Sequence, residues 1–165
     1  MYKTAIKIAA AAMLATMVVG CGGTQEQQTK ESAASLMTIN RGLDSVFTSL
    51  KQSYETYQAS EMDNALEGLN KYLTQASESL RAMDIEKDCL PLQKAISDKI
   101  EAMRNIAATD AKEQVRIYKI PDADFTEELL HQWDNISATV DKKLSSVSSI
   151  VSKAYDEINN NKSDK

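Results

Sequence analysis

The stretch MDNALEGLNKYLTQASESLRAM, residues 62–83, places apolar side chains at 62, 66, 69, 73, 76, 80 and 83, in unbroken steps of four and three. An α-helix turns once every 3.6 residues, so these steps return each side chain to one face, whereas a strand would need strict alternation. The spacing continues on both sides. Upstream lie Leu36, Ile39, Leu43, Val46, Leu50, Tyr54 and Tyr57, and downstream Leu92, Ile96, Ile100, Met103 and Ile106 follow Pro91. Proline suits the first turn of a helix and not its interior. Past Pro121, the positions Phe125, Leu129, Trp133, Ile136, Val140, Leu144, Val147, Val151, Ala154 and Ile158 form the longest stripe. Four such helices and no competing strand pattern predict an all-α fold, an antiparallel up-and-down four-helix bundle over residues 32–158 with a loose tail at 159–165.

The junctions carry their own signals. Ser60 with Asp63, and Asp124 with Glu127, match the spacing of capping boxes, so helices are expected to begin there or at Asp122. The third helix is read as running to about Lys119, although Val115-Arg116-Ile117-Tyr118 alternates in a way that also fits extended chain. Gly42 and Gly68 each interrupt a helix at a cost of about 1 kcal/mol against alanine, and read equally as close helix contacts or as tolerated surface positions. Ser145–Ser152 is rich in serine, which reads as ordinary packing with solvated hydroxyls or as a surface for self-association.

At 165 residues the chain has the length of one ordinary domain, and its 42% hydrophobic and 26% charged residues, with 5 Gly and 2 Pro, match a helical globular protein. Removing residues 1–20 takes away Lys3 and Lys7 and leaves 17 basic against 24 acidic residues, a formal charge of −7. Phosphate-backbone binding requires clustered Lys and Arg, which are missing, so a nucleic-acid partner is excluded.

The N-terminus is tripartite: Lys3 and Lys7, then an apolar run from Ile8 to Val19, then Val18-Val19-Gly20-Cys21 and the polar residues from Gly22 onward. The run is shorter than the ~20 residues a spanning helix needs, so it reads as a secretory leader. Val18, Val19, Gly20 and Cys21 resemble the lipobox of bacterial lipoproteins. The resemblance covers residues 1–21 and implies cleavage between Gly20 and Cys21, diacylglyceryl attachment to the Cys21 thiol, and acylation of the new amino group. It further implies a cell-envelope location, with Gly22 in place of Asp pointing to the outer membrane, facing the periplasm. Two or three acyl chains hold a protein durably where one does not. Residues 21–31 are then a lipidated tether, polar and without periodicity, keeping the domain close to the membrane. With Cys21 acylated, Cys89 is left alone and no intramolecular disulfide is expected. Its thiol is either a partly buried group near a helix start or a site for bridging to another chain.

Catalytic equipment is sparse. His131 is the one histidine, and Glu128-Leu129-Leu130-His131 gives one Glu-x-x-His spacing where a di-iron bundle needs two. Haem attachment through Cys-x-x-Cys-His is absent, and Met62, Met83 and Met103 read as core filler. No Gly-x-Ser-x-Gly elbow or glycine-rich phosphate loop occurs, and Glu127/Glu128 and Asp122/Asp124 are explained as acids that offset a helix dipole. The expectation is a non-enzymatic protein without metal or cofactor: a membrane-anchored helical interaction module of adaptor, assembly, exclusion or immunity type, with an envelope protein as partner. The alternative is a small-ligand or lipid-binding bundle whose pocket would draw on Tyr54, Tyr57, Tyr72, Trp133 and Tyr155.

Overall fold

Five helices bury these stripes against one another. The computed structural model describes residues 24–160, in which the regular structure is α1 (Gln25–Glu55), α2 (Ala59–Ala82), α3 (Leu90–Ala108), α4 (Asp110–Tyr118) and α5 (Glu127–Asn160), with 3-10 turns at Lys87–Cys89 and Asp122–Asp124. The all-α class expected from the periodicity is the class observed. Residues 1–20, Cys21 and the tail past Asn160 lie outside the described residues. Among the described residues, no helix is long and apolar enough to cross a membrane.

α3 packs against all four other helices. Its Leu92, Ile96, Ile100, Met103 and Ile106 are buried, and each contributes roughly 1.5–3 kcal/mol by leaving water. Cross-helix bonds give the directions. Gln93 Nε2 donates to the Leu80 carbonyl (3.1 Å) and Arg104 Nη2 to that of Leu73 (3.4 Å), so α2 and α3 are antiparallel. Cys89 Sγ donates to the Thr29 carbonyl (3.4 Å) and Lys99 Nζ to Asn40 Oδ1 (2.8 Å), so α1 and α3 run in parallel. Gln114 Nε2 donates to Ser137 Oγ (2.8 Å) and Lys143 pairs with Asp110 (2.7 Å), which makes α5 antiparallel to α4.

The element boundaries differ from expectation in five places, four of them with a local cause. α1 begins at Gln25, so residues 25–31 are helix and not tether. Thr24 Oγ1 accepts from Gln27 N–H as the N-cap, Lys30 pairs with Glu26, and Thr29 is buried against Cys89; polar local bonds hold a turn that lacks an apolar stripe. α2 begins at Ala59 after Gln58, with no side-chain cap, and the Asp63 expected in a capping box pairs with Lys119 (2.7 Å). The rod expected to run from Pro91 to about Lys119 breaks at Thr109, whose φ of −118° and ψ of −77° leave helical values while its Oγ1 donates back to the Asn105 carbonyl (2.7 Å), a bond that bends helices. Val115–Tyr118 is helical, not extended. α5 begins at Glu127, with Thr126 Oγ1 accepting from Leu129 N–H (3.3 Å) in place of an Asp124/Glu127 box. At its far end α5 continues through Asn160, past the expected stop at Ile158.

The two helical glycines separate. The Tyr72 hydroxyl donates to the Ile39 carbonyl of α1 (3.3 Å) and lies where a Cβ on Gly42 would stand, whereas a Cβ on Gly68 meets open space. Lys99 is the other constraint on α1 against α3. It is 1% exposed, and its ammonium donates to Asn40 Oδ1 and to Asp44 Oδ1 (2.5 Å). An ammonium in the core is tolerable only with such partners, and the half-exposed Asp44 carboxylate keeps one side of the group near water.

Gly42→Ala is expected to cost about 1–3 kcal/mol by displacing Tyr72, while Gly68→Ala gains roughly 0.5–1 kcal/mol, a contrast that urea unfolding measures directly. Asp44→Ala leaves the Lys99 ammonium short of its charged partner and should lose about 1.5–3 kcal/mol, whereas Lys99→Met, which removes the buried charge itself, should be near neutral in the same unfolding experiment.

Candidate functional site

Where α1 stops, the backbone takes an unusual turn. The Thr56 hydroxyl and N–H both donate to the Ser53 carbonyl (2.8 and 3.4 Å), and the next residue, Tyr57, sits at φ 56°. Helices often end in this left-handed conformation, but with glycine, because a side chain there costs about 1–2 kcal/mol. Tyr57 meets that cost while 79% exposed, so burial offsets little of it.

Its ring lies 6.1 Å from that of Tyr118 at the end of α4. Tyr118 stands 6.2 Å from Trp133 on α5, and Trp133 meets Tyr54 of α1 edge-on at 5.1 Å. Such tilted and edge-on pairs are favoured by the ring quadrupoles. Below them a relay ties three helices: the Tyr54 hydroxyl donates to Gln114 Oε1 (3.3 Å), Gln114 Nε2 to Ser137 Oγ, and the Ser137 hydroxyl to the Trp133 carbonyl (3.0 Å). Burial pushes the Tyr54 phenol well above its ordinary pKa of 10.0. Tyr118 is raised as well, by desolvation first and then by Tyr57 and Asp122.

Two exposed apolar side chains flank the start of α5, the helix that carries Trp133. Phe125, 41% exposed, precedes the Thr126 cap, and Leu130, 48% exposed, is the fourth residue of α5, the positions that a hydrophobic staple joins. Glu55, Glu61, Asp122, Asp124, Glu127 and Glu128 are exposed at the same end. The cations among them are engaged within the domain. Arg116 holds Glu113 through two bonds (2.7 and 2.8 Å) and depresses that carboxyl below its ordinary range, and Lys119 grips both oxygens of Asp63.

Of the aromatics expected around a pocket, Tyr54, Tyr57 and Trp133 gather here. Tyr72 lies against Gly42, and Tyr155 packs on the main core. Tyr118 completes the cluster and was not singled out from the sequence, although it follows Val115 by three residues on the α4 stripe. Gln114, the hub of the relay, carries no sequence signal.

The remaining sequence candidates take no part in the ring contacts. His131 is exposed, with Nε2 3.8 Å from Glu127 Oε1, and lines an open groove with Asp110 and Glu128. Among the described residues, no group of three or more His, Cys, Asp or Glu side chains could hold a metal. Met62 is buried, Met103 is buried within the apolar core, and Met83 is half-buried against it. The Cys89 thiol is wholly buried, not partly so, and pairing with another chain would require α1 and α3 to part. Gly20 and Cys21 lie outside the described residues. No protein-family model, curated protein or solved structure matches the chain.

Tyr54→Phe strands the buried Gln114 carbonyl oxygen and should cost about 1–2 kcal/mol. A phenol whose pKa is raised by folding holds its proton more tightly in the native state, so its contribution is complete below about pH 10 and fades as the pH rises toward the folded value. The loss of stability of the wild-type chain above that pH should therefore be flatter in Tyr54→Phe, as alkaline unfolding curves will show.

Proposed function

We propose that this chain is a lipid-anchored lipoprotein of the bacterial cell envelope, outer membrane favoured, whose helical domain is a non-enzymatic interaction module that engages an envelope protein. The observation that carries the reading is Tyr57. A bulky aromatic held at positive φ and left in water costs the fold stability that glycine would not, and such strain persists where it serves recognition.

The geometry supports a membrane-distal contact. With lipid on Cys21 and α1 beginning at Gln25, only Gly22, Gly23 and Thr24 separate the anchor from the first turn, a reach of about 10 Å. The 31 residues of α1 then span about 46 Å, and Tyr57 lies just past their far end. The helices act as a post that carries the aromatic cluster away from the bilayer. A ligand-binding role finds less support, because the aromatics that converge do so in contact with one another, and the pronounced depressions, such as that of Asp110 and His131, are open grooves.

A photo-crosslinking residue placed at Tyr57 in cells should capture one envelope protein reproducibly, and Cys21→Ala should abolish the capture by releasing the chain from the membrane. Tyr57→Gly should raise the melting temperature while lowering capture by native crosslinking. No specific adduct from the Tyr57 position, or an undiminished yield from Cys21→Ala, overturns the proposal.

A further inference from the structure

The chemistry of the partner is written in the charge around the aromatic end. Glu55, Glu61, Asp122, Asp124 and Glu128 form no ion pair among the described residues, and Glu127 faces only His131 at 3.8 Å. They occupy the end of α1, the first turn of α2, the 3-10 turn before α5 and the first turn of α5, the same stretches of chain that carry or adjoin the exposed Tyr57, Phe125 and Leu130. The nearby cations offer no relief. Arg116 is held by Glu113 and Lys119 by Asp63, while Lys112 stands six residues before Tyr118, about 9 Å back along α4.

Two of these acids, Asp122 and Asp124, are unnecessary to the cap of α5, since Thr126 already fills that role. Glu61, Glu127 and Glu128 are offset in part by the dipoles of the helices they begin, but Glu55, at the C-terminal end of α1, and Asp122 and Asp124 are not, and like charges gathered without counter-charge are relieved when a cation arrives. Apolar anchors within a charged rim give the usual division of labour at an interface, burial supplying affinity and the rim supplying approach and selectivity.

Resting on the interaction reading above, we infer that the membrane-distal end docks a cationic segment of a partner protein, one with lysine or arginine flanking an apolar or aromatic side chain that inserts among Tyr57, Phe125 and Leu130. Arginine is especially suited, because its guanidinium stacks on an exposed tyrosine ring while donating to carboxylates. An anionic bilayer surface is disfavoured as occupant, since the rim repels it.

The test uses the full chain held in nanodiscs of zwitterionic lipid, with empty nanodiscs as blank. The probe is a short peptide alternating arginine and leucine, and the readout is the fluorescence of Trp133, the one tryptophan of the chain, 6.2 Å from Tyr118 in the cluster. The peptide should bind saturably, its glutamate counterpart should not, and raising the salt from 0.05 to 0.5 M should weaken binding by about tenfold or more. The triple variant Asp122→Asn, Asp124→Asn, Glu128→Gln should lose a similar factor. The triple variant Glu67→Gln, Glu78→Gln, Asp84→Asn, which neutralises exposed acids elsewhere, should bind as wild type does. The salt titration on the unaltered chain keeps the inference testable if the first variant folds poorly.

Equal losses in both triple variants, binding of the glutamate peptide, or binding unaffected by salt overturns the cationic docking site. Equal binding of the peptide and of anionic vesicles at this end also overturns it, in favour of a membrane contact. Should the peptide fail while the crosslinker at Tyr57 still captures an envelope protein, the interaction reading stands and the cationic chemistry alone falls.

Discussion

Every long helix of this protein keeps its place by burying apolar side chains against α3, and that one constraint organises what surrounds it. Leu92, Ile96, Ile100, Met103 and Ile106 are nearly free of solvent because neighbours cover α3 from several sides. A helix so enclosed has little room for polarity, yet it carries Lys99. The cation is tolerated because α1 supplies Asn40 and Asp44 at the matching height, so the contact that neutralises the charge also sets the register of α1 against α3. Hydrophobic burial is indifferent to small shifts along a helix axis, whereas an ammonium with two acceptors is not. Tyr72 in the space left by Gly42 imposes the same kind of restriction on α2 against α1.

The two ends of the helices differ in kind. At the end where α1 begins, Thr29 and Cys89 seal the space between α1 and α3, and local polar pairs hold the first turns. At the other end the chain reverses through a strained tyrosine, four aromatic rings come together, and apolar groups share the surface with carboxylates. A fold optimised only for stability would place glycine at 57. Leu90 and Ile150, away from this end, are as exposed as Phe125 and Leu130, so it is the left-handed Tyr57 and the rings that meet beside it that set this end apart and on which the proposed recognition rests.

Legibility followed physical scale. The stripe of residues 62–83 predicted its helix because burial of one face is a property of spacing, and spacing survives in the linear chain. The start of α1 was misplaced because Thr24, Glu26 and Lys30 hold that turn through capping and side-chain pairs, which leave no apolar period to read. The capping boxes were misplaced because Ser60 and Asp124 match a pattern of residue types while the bonds that form belong to Gln58 and Thr126. Of the aromatic end, Tyr54, Tyr57 and Trp133 stood out as aromatics, but they lie on different helices and nothing in their spacing says that they meet.

The linear sequence by itself determined the all-α class, the succession of amphipathic helices and the poverty of catalytic groups, because each follows from residue type and local period. The lipobox resemblance likewise belongs to residues 1–21 alone. Only the tertiary structure decided that Gly42 is a contact and Gly68 is not, that Lys99 is buried, that Tyr57 is strained and exposed, and that Tyr118 and Gln114 join α4 to the aromatic end. Those facts depend on which helix lies beside which and at what height. Distances across a bundle are set by the packing of side chains far apart in the chain, and no period within a single helix records them.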